Sequence, residues 1–162
     1  MRKSAGILLY RIKDSFPEFF LVHPGGPFWR GKDKAAWSIP KGEFPEDEEP
    51  LTAAKREFEE ETGKKISGSF IELNPVKQKG GKLVYAWAIE GEIDADKIIS
   101  NTYKIEWPYK SGKWQTYPEV DKAGWFTVVE AKEKINPAQS ALIDDLLSRL
   151  VSLTADRTAD DD

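Results

Sequence analysis

The chain has 162 residues, with 24 Lys and Arg against 28 Asp and Glu, one His, no Cys and a formal net charge of −4. That length fits one domain, which can bury about two-thirds of its unfolded surface without disulfides or structural zinc. The lack of Cys excludes a thiol nucleophile and a Cys-ligated metal, a single His disfavours a His cage or a Ser-His-Asp triad, and the mild acidity disfavours a general nucleic-acid backbone binder.

Residues 5–11 are apolar and β-prone, and Arg11 cuts that run far short of a signal h-region. No stretch approaches the ~20 apolar residues of a membrane span, so a cytoplasmic protein with no membrane partner is expected. After a turn at residues 14–17, residues 19–23 read as a second strand. Residues 24–33 hold too much Gly and Pro for regular structure, and residues 37–42 form a short extended segment. A helix is predicted over residues 50–62, with Asp47 as its cap, Pro50 in its first turn and Gly63 as its stop. Leu51 and Phe58 share the stripe that docks it on a sheet. Strands follow at residues 70–73 and 82–89, joined across Lys79-Gly80-Gly81. Residues 101–118 read as a long aromatic-rich connection, and residues 124–128 as another strand. Helical spacing of Ala138, Leu142, Leu146 and Leu150 closes the domain at residue 153, leaving residues 154–162 as an acidic tail expected to be disordered. Strands with one central and one terminal helix predict an α+β or α/β/α sandwich in a single domain.

Charge is concentrated. Residues 43–61 carry nine acids against Lys55 and Arg56, so the rest of the chain is net positive. Within the predicted helix, Glu57, Glu60 and Glu61 stand at i, i+3 and i+4 and share a face. Such carboxylates repel one another by a few tenths of a kcal/mol per pair, and a hard oxygen-liking cation reverses the sign. A merely solvated charged face is the alternative reading of an isolated Glu-rich helix.

The wider pattern decides between them. Gly42, Glu48 and the run Arg56-Glu57-Phe58-Glu59-Glu60-Glu61-Thr62-Gly63 read G-x5-E-x7-R-E-U-x-E-E-x-G, where U is bulky and apolar. This resembles the box of the Nudix hydrolases, with every charged and glycine position at its spacing. One departure is Lys64 where the family carries an aliphatic residue, with Ile66 two positions on; it touches strand register rather than metal binding. The resemblance implies a Nudix α/β/α sandwich around a mixed β-sheet over residues 1–153. It also implies cleavage of a phosphoanhydride by a metal-activated water.

By that resemblance Glu57, Glu60 and Glu61 hold magnesium, with manganese as a substitute, and Glu60 or Glu61 serves catalysis. Arg56 orients the glutamates, Glu48 belongs to the loop or the outer shell, and Glu119 is the extra carboxylate that binds metal or acts as base. From the residues themselves, Lys41 and Gly42 at the loop mouth are candidates for substrate phosphate, beside a reading of Lys41 as merely solvated. His23 is a candidate for phosphate or base, or for a structural role. Trp107, Tyr109, Trp114 and Tyr117, interleaved with lysines, suit stacking of a nucleobase, with Phe28 and Trp29 as an opposite wall; alone, each could simply cover the sheet. The segments at residues 23–27, 37–42 and 137–139 resemble bacterial nucleoside triphosphate pyrophosphohydrolases, and the Pro40-Lys41-Gly42 lead-in also resembles that of diadenosine polyphosphate hydrolases. A nucleoside triphosphate or dinucleoside polyphosphate is therefore the expected substrate, with ADP-ribose and an RNA 5′ end also open. A homodimer is possible by the same resemblance. The competing classes are a Nudix-like nucleotide-sensing module without turnover and a protein-interaction domain. Retention of all the box glutamates favours the hydrolase.

Overall fold

Lys3–Lys13 (β1) and Phe16–Pro24 (β2) form an antiparallel hairpin in a computed structural model that describes residues 2–160, with side chains through Leu153. Its turn residues, Asp14 and Ser15, have φ of 51° and 72°. Two positive φ values in a two-residue loop match the twist of the flanking strands, and Asp tolerates that conformation better than most residues. The chain continues through Lys41–Glu43 (β3), Pro50–Thr62 (α1), Ile71–Glu72 (β4), Val76–Lys77 (β5) and Leu83–Glu90 (β6). Thr102–Glu106 (β7), Trp114–Pro118 (β8), Val120–Thr127 (β9), Val128–Lys134 (α2) and Ser140–Asp160 (α3) complete it.

Seven strands make the main sheet, ordered β4-β6-β1-β2-β9, with β3 on β1 and β5 on β6. Only β1 and β6 pair in parallel, so the sheet is mixed. Strand alternation sends β1 side chains to both faces, and both are covered, which is why the strand reads as an unbroken apolar run. Ala5, Ile7 and Leu9 meet Ala53, Ala54 and Phe58 of α1, while Leu8 and Tyr10 meet Leu142, Ile143 and Leu146 of α3 on the other face. Phe58 is fully buried with its ring 6.1 Å from that of Phe20. The expected α/β/α sandwich is therefore the architecture found. Among the described residues no helix is long and apolar enough to cross a membrane.

Several elements differ from the sequence reading. The cap of α1 is Glu49 rather than Asp47: its carboxylate accepts from the Leu51 and Thr52 amides at 3.1 and 3.0 Å. Residues 101–118 are not irregular but fold as the β7–β8 hairpin. Its tip holds Pro108, Ser111 and Gly112, and those breakers hide two five-residue strands. The strand β5 and the helix α2, closed by a Thr127–Glu130 capping box, had no sequence counterpart because both are short. No strand follows Gly63 directly, and Ile66 packs beneath α1 in place of an aliphatic residue at Lys64. The backbone of α3 is helical through Asp160, whereas the tail expected at residues 154–162 lies outside the residues whose side chains are described.

Truncating the anchor of α1 tests this packing. Phe58→Ala is expected to cost about 3–5 kcal/mol, the range for large aromatic deletions in close-packed cores. Urea unfolding followed by circular dichroism measures it, and a loss below 1 kcal/mol would mean α1 is held by other contacts.

Candidate active site

The sheet forks above the site. β1 pairs β2 only from Tyr10 onward, and nearer its start its edge is taken by β3, with Gly6 opposite Lys41 and Ala5 opposite Gly42. Between the two strands runs the segment 38–43: Ile7 N donates to Pro40 O at 3.1 Å, and Ser38 and Val22 exchange two bonds of 2.9 Å. Gly6 makes the approach possible, since a Cβ there would stand 2.6 Å from Pro40 O. Gln139, fully buried, pins the segment from the α3 side. Its Oε1 accepts from Ile39 N and its Nε2 donates to Ser38 Oγ, both at 3.0 Å. Lys41 and Gly42 are thereby held under one face of α1.

On that face Glu57 and Glu61 lie one turn apart, 7% and 8% exposed. The Glu57 carboxylate occupies the space a side chain at residue 42 would fill, so any larger residue there must displace it. Glu61 Oε2 accepts from Lys41 N at 3.3 Å. Arg56 clamps the outer flank. Its Nε and Nη2 each lie 2.9 Å from the Glu48 carboxylate, and its Nη1 donates to Glu57 at 2.9 Å and Glu60 at 3.1 Å. Such a bidentate, charge-assisted grip fixes orientation as well as charge. Each of the three guanidinium nitrogens of Arg56 donates to a glutamate, so its contacts within the site are to the carboxylates it would hold in place.

Glu119 joins from the other side of the fork. Its amide donates to Asn101 O at 2.8 Å and its carbonyl accepts from Gly25 N at 2.9 Å. Asn101 N in turn donates to Glu60 O at 2.8 Å, which ties the end of α1 to the start of β9. Glu119, Glu61, Lys41, Trp29 and Trp37 line a cleft of about 240 Å³. A cavity of about 420 Å³ beside Arg2, Phe44 and Tyr85 holds none of Glu57, Glu60 and Glu61.

The four carboxylates feel one another. Burial, then the Glu60 charge, pushes Glu57 up; burial, then Glu57, pushes Glu61 well above the usual carboxylate range. Glu119 is raised by burial and by Glu60. On Lys41, burial outweighs the neighbouring carboxylates and lowers the ammonium's pKa. Among the described residues no three acidic side chains converge into a finished cation cage. The donor set is nonetheless all carboxylate, which suits hard magnesium or manganese rather than a softer metal, and a cation relieves the repulsion. Glu57, Glu60, Glu61 and Glu119 are the residues that would hold it.

The expected substrate residues divide. His23 is put to structural use: it is 2% exposed, its Nδ1 meets Asp121 Oδ1 at 2.8 Å and its Nε2 meets Lys32 O at 2.6 Å. Both ring nitrogens are engaged, leaving none for phosphate. The aromatic set does not form one wall. Alternation along the hairpin places Tyr103 opposite Tyr117 on one face and Trp114 opposite Glu106 on the other. Tyr103, not singled out in the sequence reading, donates to Gly25 O at 2.9 Å and anchors the hairpin to the 24–28 loop. Trp107 meets Phe28 edge-on at 5.0 Å, while Tyr109 and Trp114 are 80% and 67% exposed. The sequence reading also passed over Gln78, whose buried Oε1 has no partner among the described residues. Its only sequence signal was a polar residue before a Gly-Gly turn.

Residues 1–146 match the family model of the NUDIX domain, and the chain belongs to that family. It is 30% identical over 131 residues to a protein of Acanthamoeba polyphaga mimivirus named for mRNA decapping, covering 74% of this chain and 31% of the relative. The mRNA-decapping protein g5R of African swine fever virus is 46% identical over 50 residues, 31% of this chain and 20% of that protein. The chain thus matches about a third or less of the length of these relatives. Among solved structures, a C. elegans Ap4A hydrolase aligns with a TM-score of 0.63 at 22% identity, over 94% of this chain and 99% of the other. The NUDIX domain of Shewanella oneidensis NrtR, complexed with ADP ribose, aligns at 0.62 with 16% identity, over 91% and 87%. At such identities the likeness concerns the fold.

Two outcomes follow from the geometry. Gly42→Ala drives a methyl into the Glu57 carboxylate, and a misplacement of about 1 Å costs on the order of a hundredfold in turnover. Rates of nucleotide product formation alongside a thermal melt test it: retained stability with retained rate would remove Glu57 from the site. The second concerns pH. A carboxyl whose folded pKa lies above its unfolded value keeps its proton longer when folded, so stability falls as pH climbs through the gap. In chelator, Glu61→Gln should therefore melt above the parent at pH 7, and the difference should vanish near pH 4. A variant that melts lower at pH 7 would mean Glu61 is satisfied as an anion.

Proposed function

We propose that the chain is a metal-dependent hydrolase of a phosphoanhydride bond in a nucleoside polyphosphate, with two nucleosides joined by phosphates as the favoured substrate class. The observation that carries this is a cleft lined by Glu61 and Glu119 together with Lys41 and an indole, Trp29, with Glu57 and Glu60 close enough to shift the charge of the lining carboxylates. An apolar ring beside a carboxylate cluster suits a ligand that is base at one end and phosphate at the other. The names of the relatives agree in class, since a capped mRNA and a diadenosine polyphosphate both contain two nucleosides bridged by anhydrides.

Magnesium, or manganese in its place, bound by Glu57, Glu60, Glu61 and Glu119 would polarise the phosphoryl oxygens and favour deprotonation of the attacking water. The protein's own part is positional. Arg56 holds Glu57 and Glu60 in register, and the Lys41 amide holds Glu61. Glu119, or Glu60 in its place, takes the proton of the water as it attacks phosphorus, burial having raised the Glu119 carboxyl toward neutral pH. Lys41 faces the anhydride and balances charge on the departing phosphate. Trp29, next in the chain to the Phe28 that meets Trp107, receives a base.

The test is product analysis with magnesium across diadenosine tetraphosphate, capped RNA, dGTP and ADP-ribose. Cleavage of the first two, stopped by chelator, is expected. Glu119→Gln should lower kcat by about 10²–10⁴ with little change in KM and flatten the acid limb of the pH profile. Hydrolysis of dGTP alone would replace the substrate class with nucleoside triphosphates. Tight binding without turnover of any of the four would replace the hydrolase with a nucleotide-sensing module.

A further inference from the structure

The carboxylate cleft does not end at Lys41. Lys41, Gln78 and Asn136 also line a second cavity, of about 390 Å³, whose other walls include Lys79, Lys82 and Ala35. The two cavities share those three residues and make one groove with opposite charge at its ends. Glu61 and Glu119 stand at one end, while three lysines and no acid line the other.

The basic end is built by a constrained turn. Lys79 and Lys82 flank Gly80 and Gly81, whose φ values of 83° and 79° suit glycine, and Gln78 N donates to Lys82 O at 2.8 Å to close it. Lys82 Nζ lies 3.4 Å from the half-exposed Glu43 carboxylate, so its charge is only partly spent. At the junction Gln78 Oε1 is buried with no partner among the described residues. A buried acceptor left unpaired costs about 1–3 kcal/mol, and a ligand hydroxyl would satisfy it where a phosphate oxygen, having no proton, would not.

From this arrangement we infer that the Lys41–Lys79–Lys82 end of the groove is a binding subsite for the part of the substrate beyond the scissile anhydride. The ligand chemistry is a ribonucleotide phosphate: anionic oxygens on the lysines, a ribose hydroxyl on Gln78. The inference deepens the proposed function and rests on it for the position of the cleaved bond. A dinucleoside polyphosphate and the 5′ end of an RNA both present that chemistry.

The experiment is equilibrium binding in chelator, so that turnover plays no part and failure of the hydrolase reading leaves it interpretable. Fluorescence anisotropy of a 5′-phosphorylated RNA decamer is measured against salt for the full chain, for Lys79→Ala/Lys82→Ala and for a control with exposed lysines removed elsewhere, Lys13→Ala/Lys97→Ala. The Lys79/Lys82 variant should bind about tenfold more weakly at 50 mM salt. Its slope of log affinity against log salt should be shallower by roughly 0.7 per lost phosphate contact. Diadenosine tetraphosphate is then used as a competitor: parallel weakening assigns the groove to both sources, and weakening confined to RNA assigns it to RNA ends. Gln78→Ala should reduce the preference for the RNA decamer over its DNA counterpart, since the 2′-hydroxyl separates them. Equal affinity of the Lys79/Lys82 variant and the parent, or an equal loss in the control, would overturn the subsite.

Discussion

Repulsion among Glu57, Glu60, Glu61 and Glu119 is the constraint around which the rest of the chain is arranged. Buried carboxylates in one another's field raise the free energy of the folded state, and something must hold them there. Phe58 does so by burial, because a fully buried ring between the glutamates fixes the rotation of α1 about its axis. Arg56 does so by charge, and Glu48 then holds Arg56 so that the guanidinium cannot swing away. The end of the helix is tied as well. Thr62 O accepts from Ile99 N, and Gly63, at φ 76°, turns the chain where a Cβ would stand 2.9 Å from Ile99 O. A functional cluster that opposes folding is thus surrounded by contacts that support it, which is where strain is expected to be stored.

The fork in the sheet solves a second problem, that of bringing a loop under a helix without leaving backbone groups unpaired in the interior. The segment 38–43 answers by pairing as it goes, to Val22, to Ile7 through Pro40, and then to β1 as β3. Gln139 supplies the partner where the ladder has none. Its amide offers both a donor and an acceptor, so one side chain serves Ile39 and Ser38 together. Residues far apart in sequence, at 39 and 139, therefore decide where Lys41 points.

Legibility in the sequence followed the range of the forces involved. The span of α1 was readable to the residue because Pro50, the Glu-rich turns and Gly63 act within one or two turns of chain. Its cap was misplaced by two residues because Asp47 and Glu49 both carry carboxylates, and only the backbone angles at Glu49 aim one at the amides. The box glutamates were readable from spacing alone. His23 was not, since its fate depends on Asp121 and Lys32, 98 and 9 residues away. The β7–β8 hairpin stayed hidden for a different reason: each strand is only five residues long, and although Tyr103 and Ile105 alternate with polar residues in β7, Trp114 and Tyr117 fall on opposite faces of β8, so no shared period-2 pattern marks the pair.

Net charge is a sum that hides how the charges are distributed along the chain. A total of −4 counts against a general nucleic-acid binder, yet the acids cluster in residues 43–61 and the rest of the chain is positive. Folding separates these charges further, placing Glu61 and Glu119 at one end of a groove, Lys79 and Lys82 at the other and Lys41 between them. An anionic ligand entering such a groove is oriented before it is bound, because one end attracts it and the other, until neutralised by a cation, repels it. For the proposed substrate class, the same carboxylates that make the site costly to fold would set the direction in which the phosphates lie. On the proposed function, selection of a long substrate over a short one would rest on the pairing of two opposed charge clusters rather than on any one contact.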